Sequence, residues 1–257
     1  MPMTDPYTLE TTEVRRAANA AASTYDEAAA LQAEVRKRLL ERLDYVKLEP
    51  DVVLDLGAAT GGASRSLGER YGDAQIVAVD FADRMLRRIA ERDLPAKAPG
   101  LLCADAVALP LASDSVDLIF CNLLLPWCNE PGRVLQECRR VLKPGGLFNF
   151  SALGPDTLYE MREAWSSVNG ASHVHRFADM HDVGDAVVAA GFAEPVLDLE
   201  YITLCYRSVD GIMRELKACG AHNATAGRSR GLTGAGSLRL VESAYEKFRD
   251  ADGRLPV

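Results

Sequence analysis

The stretch Asp55-Leu56-Gly57-Ala58-Ala59-Thr60-Gly61-Gly62 sets glycines where a short apolar run ends and a helical pattern begins. Glycines in such a turn let a ligand approach the backbone. The opening of the helix also offers N–H groups that lack intrahelical partners. Alone, the loop fits any tight β-to-α turn equally well. Asp80 closes the next apolar run, Ile76-Val77-Ala78-Val79, about twenty residues after the loop, where a carboxylate can accept from both hydroxyls of a ribose. An aspartate there also suits the N-cap of the following helix. Together the two features point to a nucleoside-containing ligand lying across two neighbouring strands. The loop is neither G-x-G-x-x-G nor G-x-x-x-x-G-K-[ST], which argues against a dinucleotide and against a phosphate-cradling loop.

The elements that must hold these residues alternate. A helical pattern runs over 13–46, with Val35, Leu39, Leu40, Leu43 and Val46 on one face, and Pro50 stops it. Apolar runs at 52–56, 76–79, 101–104, within 116–125 and at 147–150 read as strands. Helical patterns lie between them, and Lys143-Pro144-Gly145-Gly146 reads as a sharp stop and turn. Strands apolar throughout, alternating with helices, predict right-handed βαβ units. The expected fold is therefore α/β, a doubly wound and mostly parallel sheet. Beyond Gly154 the pattern predicts helices at 155–168, 180–190, 208–219 and 236–249, an edge or antiparallel strand over 196–204, and a surface loop over 222–237. Residues 1–12 read as a loose tail.

Composition bounds the function. The chain has 257 residues, 48% hydrophobic and 26% charged, the mix of a globular protein rather than a disordered or fibrous one. A net charge of −8 argues against a general nucleic-acid binder. No apolar run approaches the ~18 residues that span a bilayer. The six cysteines form no C-x-x-C pair and sit mostly among apolar neighbours, which suits reduced thiols and a cytoplasmic protein. His173, His175 and His181 are closely spaced but match no metal-ligating pattern such as H-E-x-x-H, so no metal site is expected. The segment 206–239 carries six basic residues against two acidic ones within this acidic chain.

Asp105-Ala106, Leu109-Pro110-Leu111, Ser113-Asp114-Ser115-Val116-Asp117 and Arg140-Val141-Leu142-Lys143-Pro144-Gly145-Gly146 complete a train from Val52 to Gly146. That train resembles the class I S-adenosylmethionine-dependent methyltransferases. The resemblance implies a Rossmann-like fold with N-terminal lid helices (1–50), a cofactor-binding core (51–154) and a C-terminal helical insertion (155–257), all within one domain. It implies that Asp55, Gly57, Ala58, Ala59 and Gly61 surround the methionine part of the cofactor, that Asp80 holds the ribose, and that Asp105 with Ala106 faces the adenine. Asn122 would lie beside the sulfonium, and Gln32 and Tyr25 in the lid.

The second half narrows the family. Ser151-Ala152-Leu153-Gly154-Pro155-Asp156-Thr157-Leu158, the stretch from His173 to Ala186, and Leu216-Lys217-Ala218-Cys219-Gly220-Ala221-His222-Asn223-Ala224 with Arg228-Ser229-Arg230 resemble the malonyl-acyl-carrier-protein O-methyltransferases of biotin synthesis. The implied reaction carries a methyl group from a sulfonium to a free malonyl carboxylate. A carboxylate is already ionised at neutral pH, so no catalytic base is expected. His181 is assigned to the substrate side, and Arg228 and Arg230, within the basic segment, to the docking of an acidic carrier protein. Ala59 stands where the family has glycine, Pro126 where it has Gln or His, and the family continues past Val257 into a final strand. Two other readings share the pattern: a methyltransferase-fold protein with a different activity, such as the hydroxylase-like assembly factors, and a non-catalytic cofactor-binding paralogue.

Overall fold

A computed structural model describes residues 5–92, 97–169, 171–229, 231 and 233–257. Its centre is a parallel sheet of β1 (Val52–Leu56), β2 (Gln75–Asp80), β3 (Gly100–Cys103), β4 (Val116–Asn122) and β5 (Leu142–Ser151) in the order β3-β2-β1-β4-β5. Crossovers are made by α4 (Gly62–Arg70), α5 (Asp83–Ala90) and α6 (Pro131–Val141). The expected doubly wound α/β fold is what the chain adopts.

Strand alternation places the core on both faces. Leu54, Leu56 and Ile119 pack with Val134, Leu135, Cys138 and Val141 of α6. Val53, Leu118 and Phe120 face the opposite way, against Ala63 and Leu67 of α4 and Leu39 of the N-terminal helices. Chain order reverses between β1 and β4, so the loops after their C-terminal ends diverge and leave a crevice there. Register across the two strands, Val53 to Leu118 through Asp55 to Phe120, brings the glycine loop and Asn122 to the same edge of the sheet.

Four sequence expectations need correction. The single helical pattern over 13–46 is three helices, α1 (Thr11–Ala21), α2 (Tyr25–Ala28) and α3 (Ala30–Arg42). The alanine-rich chain breaks at Ala29, φ −88° and ψ 51°, because Asp26 is drawn to Thr60 of the glycine loop at 2.6 Å and to Arg92. Residues 5–10 are not a loose tail: Leu9 exchanges hydrogen bonds with the Asn129 side chain at 2.8 and 2.9 Å, and Glu10 N–H donates to the Ala224 carbonyl. Lys143-Pro144-Gly145-Gly146 does not end the chain's run but bulges inside β5, since Val116 pairs with Leu142 and Leu118 with Leu147.

The fourth concerns 196–204, which forms no regular element and belongs to no ladder. Period-2 alternation is real in the sequence there, yet among the described residues no strand lies alongside. Arg42 bonds Asp198 and Glu200 and Arg38 bonds Glu200, tying one side of the segment to α3, while Val196 is 95% and Tyr201 72% exposed. Only at its end does it pair: Leu204 and Val257 exchange backbone bonds, continuing into β6 (Cys205–Tyr206) against β7 (Leu255–Pro256).

The helices of the second half are α7 (Tyr159–Ser166), α8 (Met180–Ala189), α9 (Val209–Ala218) and α10 (Ala235–Tyr245). Trp165, Ile212, Val241, Tyr245 and Leu255 form a second, smaller core among them. Ser208 and Asp179 cap α9 and α8 through Gly211 and Asp182 N–H groups. Among the described residues no helix is long and apolar enough to cross a membrane.

Candidate active site

A cavity of about 1650 Å³ opens over the C-terminal ends of β1, β2 and β4 and runs beneath α1–α3 toward the second half of the chain. The loop after β1 forms its floor. Gly57 has φ +76°, and a Cβ there would come within 3.1 Å of Leu124, so glycine fits a conformation that most residues adopt only with strain. Ala59, standing where the resembled family has glycine, sits at φ +46° in the same turn, the left-handed region that favours glycine. Its N–H donates to Asp80 Oδ2 at 2.9 Å, which holds the loop in this shape.

Asp80 is at the end of β2 and on the cavity wall. Oδ1 accepts from the Ala82 N–H at 2.8 Å, directly before α5. Burial pushes its carboxyl upward from the ordinary value, opposed by the N–H groups of Ala82, Ala59 and Phe81. Asp80 is thus a cavity acid but not the N-cap of α5: the N-cap is Ala82, whose own N–H is the one Asp80 accepts. Asp105 and Ala106 line the same end of the cavity beyond β3, together with Phe81.

Asn122 terminates β4. Its Nδ2 donates to the Gln32 carbonyl at 3.0 Å and its Oδ1 accepts from Ser151 Oγ at 2.9 Å, tying α3 to the ends of β4 and β5. Gln32 Nε2 in turn lies 3.9 Å from Cys219 Sγ. Tyr25 lies in the cavity wall, and its phenol is pushed up by burial, then by the nearby Cys219 and Asp80, so it stays protonated. The lid, the sheet and the segment after α9 therefore meet at one point.

Tyr25, Gln32, Gly57, Ala59, Asp80, Asp105, Ala106, Asn122 and His181 all reach the cavity. Asp55, Ala58 and Gly61 do not line it. Asp55 lies on the α4 face of the sheet, where it accepts from Ser64 Oγ at 2.5 Å, and Ala58 packs with Ala78, Leu86 and Ile89. Strand alternation explains this: the residue before Leu56 points to the opposite face. Arg228 is also placed otherwise than the docking reading requires. It is 18% exposed and bonded to Glu10 at 2.7 Å, with Glu13 at 3.7 Å, so its charge is met inside the molecule. Arg230 lies outside the described residues. Of the histidines, His173 stacks on Trp165 with centroids 3.7 Å apart, and His175 meets Trp127 edge-on. His175 Nε2 accepts from Ala224 N–H at 3.1 Å, and burial, with His222 close by, lowers its pKa to about 4.

Sequence reasoning missed Phe81, Ser151, Cys219 and His222 on the wall. Phe81 and Ser151 follow directly on strand ends, a position that could have marked them. Cys219 and His222 arrive through α9, and no local pattern announces them.

Asp55 carries a stability prediction. Burial raises its carboxyl to about 6, with Ser64 opposing. A folded pKa above the unfolded one means that the native state binds the proton more tightly, so stability is lost as pH rises from about 4 through about 6. At 1.36 kcal/mol per unit, the ionised group costs roughly 2–3 kcal/mol at neutral pH. Asp55→Asn keeps an acceptor for Ser64, and urea unfolding should show it more stable than the parent at about pH 7.5, with the difference vanishing near pH 4. A variant destabilised at the higher pH would contradict this.

The comparisons match this geometry. A methyltransferase domain family matches residues 54–150, the stretch from β1 to β5. The malonyl-[acyl-carrier protein] O-methyltransferase of Methylovorus sp. is 51% identical over 98% of this chain and 87% of its own length. The enzyme of the same name from Laribacter hongkongensis is 48% identical over 99% and 88%. A solved SAM-dependent methyltransferase from Thermotoga maritima superposes with a TM-score of 0.54 at 20% identity, over 70% of this chain and 82% of that one, which shows shared fold. With relatives at this identity across nearly the whole chain, the protein belongs to the malonyl-[acyl-carrier protein] O-methyltransferase family, on the class I methyltransferase fold.

Proposed function

We propose that this chain binds S-adenosylmethionine over the β1–β2–β4 edge and methylates the free carboxylate of a malonyl group carried by an acyl-carrier protein, an early step toward biotin. One observation carries the reading. The methyltransferase core, through Gly57, Asp80 and Asn122, and the second half, through His181, Cys219 and His222, wall a single cavity. Its volume of about 1650 Å³ exceeds that of an ordinary small-molecule pocket.

The residues present fit the cofactor. Asp80 offers a buried carboxylate to the ribose hydroxyls, and the positive-φ turn at Gly57 and Ala59 keeps the floor low for the methionine part. Asp105 and Ala106 stand at the adenine end, and Asn122 with Gln32 at the other. When bound, the cofactor would supply an electrophilic methyl group on a sulfonium, a transfer to a carboxylate oxygen in which the sulfur would keep the electron pair of the broken bond and no proton would move.

The protein's part is to align the acceptor and exclude water. The α1–α3 segment does the second by closing over the sheet edge, held by Asp26 to Thr60 and by Gln32 to Asn122. The acceptor carboxylate needs no base, and neither Tyr25, which stays a phenol, nor Asp80, whose oxygens accept the Ala59 and Ala82 N–H groups, is asked to be one. Turnover of malonyl-carrier protein should therefore be flat between about pH 6 and 8, because the nucleophile is ionised throughout. A rate rising with a single ionisation near pH 7 would put a general base back into the mechanism.

A further inference from the structure

The large apolar side chains that water touches are not scattered over this molecule. Ten apolar or aromatic ones are exposed among the described residues, and seven of the ten also line the cavity. A side chain meets both conditions only where a cavity opens, so these seven mark its mouth. Single exposed apolar residues are normal on any surface, but a contiguous group of them marks a place where something binds.

The contacts of the 196–204 segment gather the group in one place. Arg42 of α3 bonds Asp198 and Glu200, which brings Tyr45, 87% exposed and three residues past Arg42, close to the segment. The Tyr201 hydroxyl donates to Asp156 at 3.1 Å, three residues before Tyr159, and Leu199 Cδ1 lies 3.9 Å from where a Cβ on Gly154 would stand. Leu197 reaches Gly184 of α8 in the same way, at 3.0 Å, one turn from Met180. The segment therefore rims the mouth from α3, past the chain that follows β5, to α8.

Charge bounds what can sit on this rim. Among the described residues, Arg38 and Arg42 are the only lysine or arginine side chains on the cavity wall, and both are engaged, Arg38 by Glu34 and Glu200, Arg42 by Asp198 and Glu200. An anionic surface would find no free cation there and would face the carboxylates of Asp156, Asp198 and Glu200. A neutral, flexible and partly apolar chain meets no such repulsion and covers the exposed aromatic and aliphatic groups. A malonyl group on a carrier protein arrives on such a chain, a pantetheine arm of amides and methylenes that ends in the thioester. A folded carrier cannot enter a cavity of about 1650 Å³, so the arm has to run from the cavity to the outside.

We propose that the exposed rim of Tyr45, Val196, Leu199 and Tyr201 seats the pantetheine arm of the acyl thioester, which leaves the cavity between the end of α3 and the 196–204 segment. The assignment rests on the methyltransferase reading above and adds to it the path of the substrate.

The test is equilibrium binding by calorimetry, with S-adenosylhomocysteine present so that nothing turns over. The parent is compared with the triple variant Tyr45→Ser, Leu199→Ser, Tyr201→Ser, whose three side chains are exposed and carry little of the fold. Malonyl-carrier protein and malonyl-coenzyme A are the probes, because they share the arm and differ in what it hangs from. The variant should lose roughly 10-fold in affinity for both, the scale of about 60 Å² of apolar surface left unburied. S-adenosylhomocysteine alone should bind as it does to the parent. Equal affinities in parent and variant overturn the assignment. So does a loss confined to one probe, which would make the rim a seat for the carrier's body or for the nucleotide instead of the arm. A matching loss for S-adenosylhomocysteine makes the rim a support of the whole cavity and overturns it too. A parent that binds neither malonyl probe overturns the reading beneath it as well.

Discussion

Replacing Asp80 by alanine weakens S-adenosylmethionine binding by about 1.5–3 kcal/mol, roughly a 10- to 100-fold rise in Kd by calorimetry. Two effects combine. The ribose loses a charged acceptor at the end of β2, and Ala59 loses the acceptor that holds its N–H at 2.9 Å in the left-handed turn. Asp80→Asn separates them, since one amide oxygen still accepts from a backbone N–H while the charge is gone; its loss should fall between parent and alanine. The fold should survive, because burial already disfavours the ionised carboxyl and its removal relieves that cost. A folded Asp80→Ala protein that binds the cofactor as tightly as the parent removes Asp80 from the ribose role.

The second large effect lies in the same loop and runs in opposite directions at two neighbouring positions. Gly61 has φ +81°, and a Cβ there would stand 2.8 Å from Ile89 Cγ1 and 3.0 Å from its Cδ1. Ile89 is buried in α5 and cannot swing away. Gly61→Ala should therefore cost roughly 2–4 kcal/mol, about 1–2 from the left-handed backbone and the rest from overpacking. Ala59 already bears the backbone cost at φ +46°. Ala59→Gly should relieve about 1–2 kcal/mol of strain, offset in part by roughly 0.4–1 kcal/mol of added freedom in the unfolded chain. Thermal unfolding should thus drop steeply in Gly61→Ala and rise slightly, or hold, in Ala59→Gly. A Gly61→Ala protein as stable as the parent would contradict the packing argument, and a clearly less stable Ala59→Gly protein would show the alanine to be adapted to its turn.

The parallel core was legible because its strands are short apolar runs punctuated by glycine and proline, and because Asp80 and the glycine loop fall at fixed distances from strand ends. Asp55, expected beside the cofactor, stands off the cavity wall against Ser64 because a one-residue step along a strand reverses the face, and the motif string does not carry that geometry. The strand expected over 196–204 has the right alternation, but alternation cannot supply a neighbour to bond with, and Arg38 and Arg42 claim the segment instead. Arg228 illustrates the same limit for charge. Its place in a basic stretch said nothing of Glu10, more than two hundred positions earlier, which neutralises it. His222 and Cys219 reach the cavity through the packing of Gly220 against Ala17 and Ala21, a tertiary contact with no local signature.

The central claim is that this chain moves a methyl group onto a malonyl carboxylate, and the most direct measurement is the intact mass of malonyl-carrier protein after incubation with the protein and S-adenosylmethionine. The account predicts a gain of one methylene on the malonyl form, removable by mild base as an ester is, and no gain on acetyl-carrier protein. An unchanged malonyl-carrier mass with a folded, cofactor-binding protein, or the same gain on the acetyl form, would contradict it.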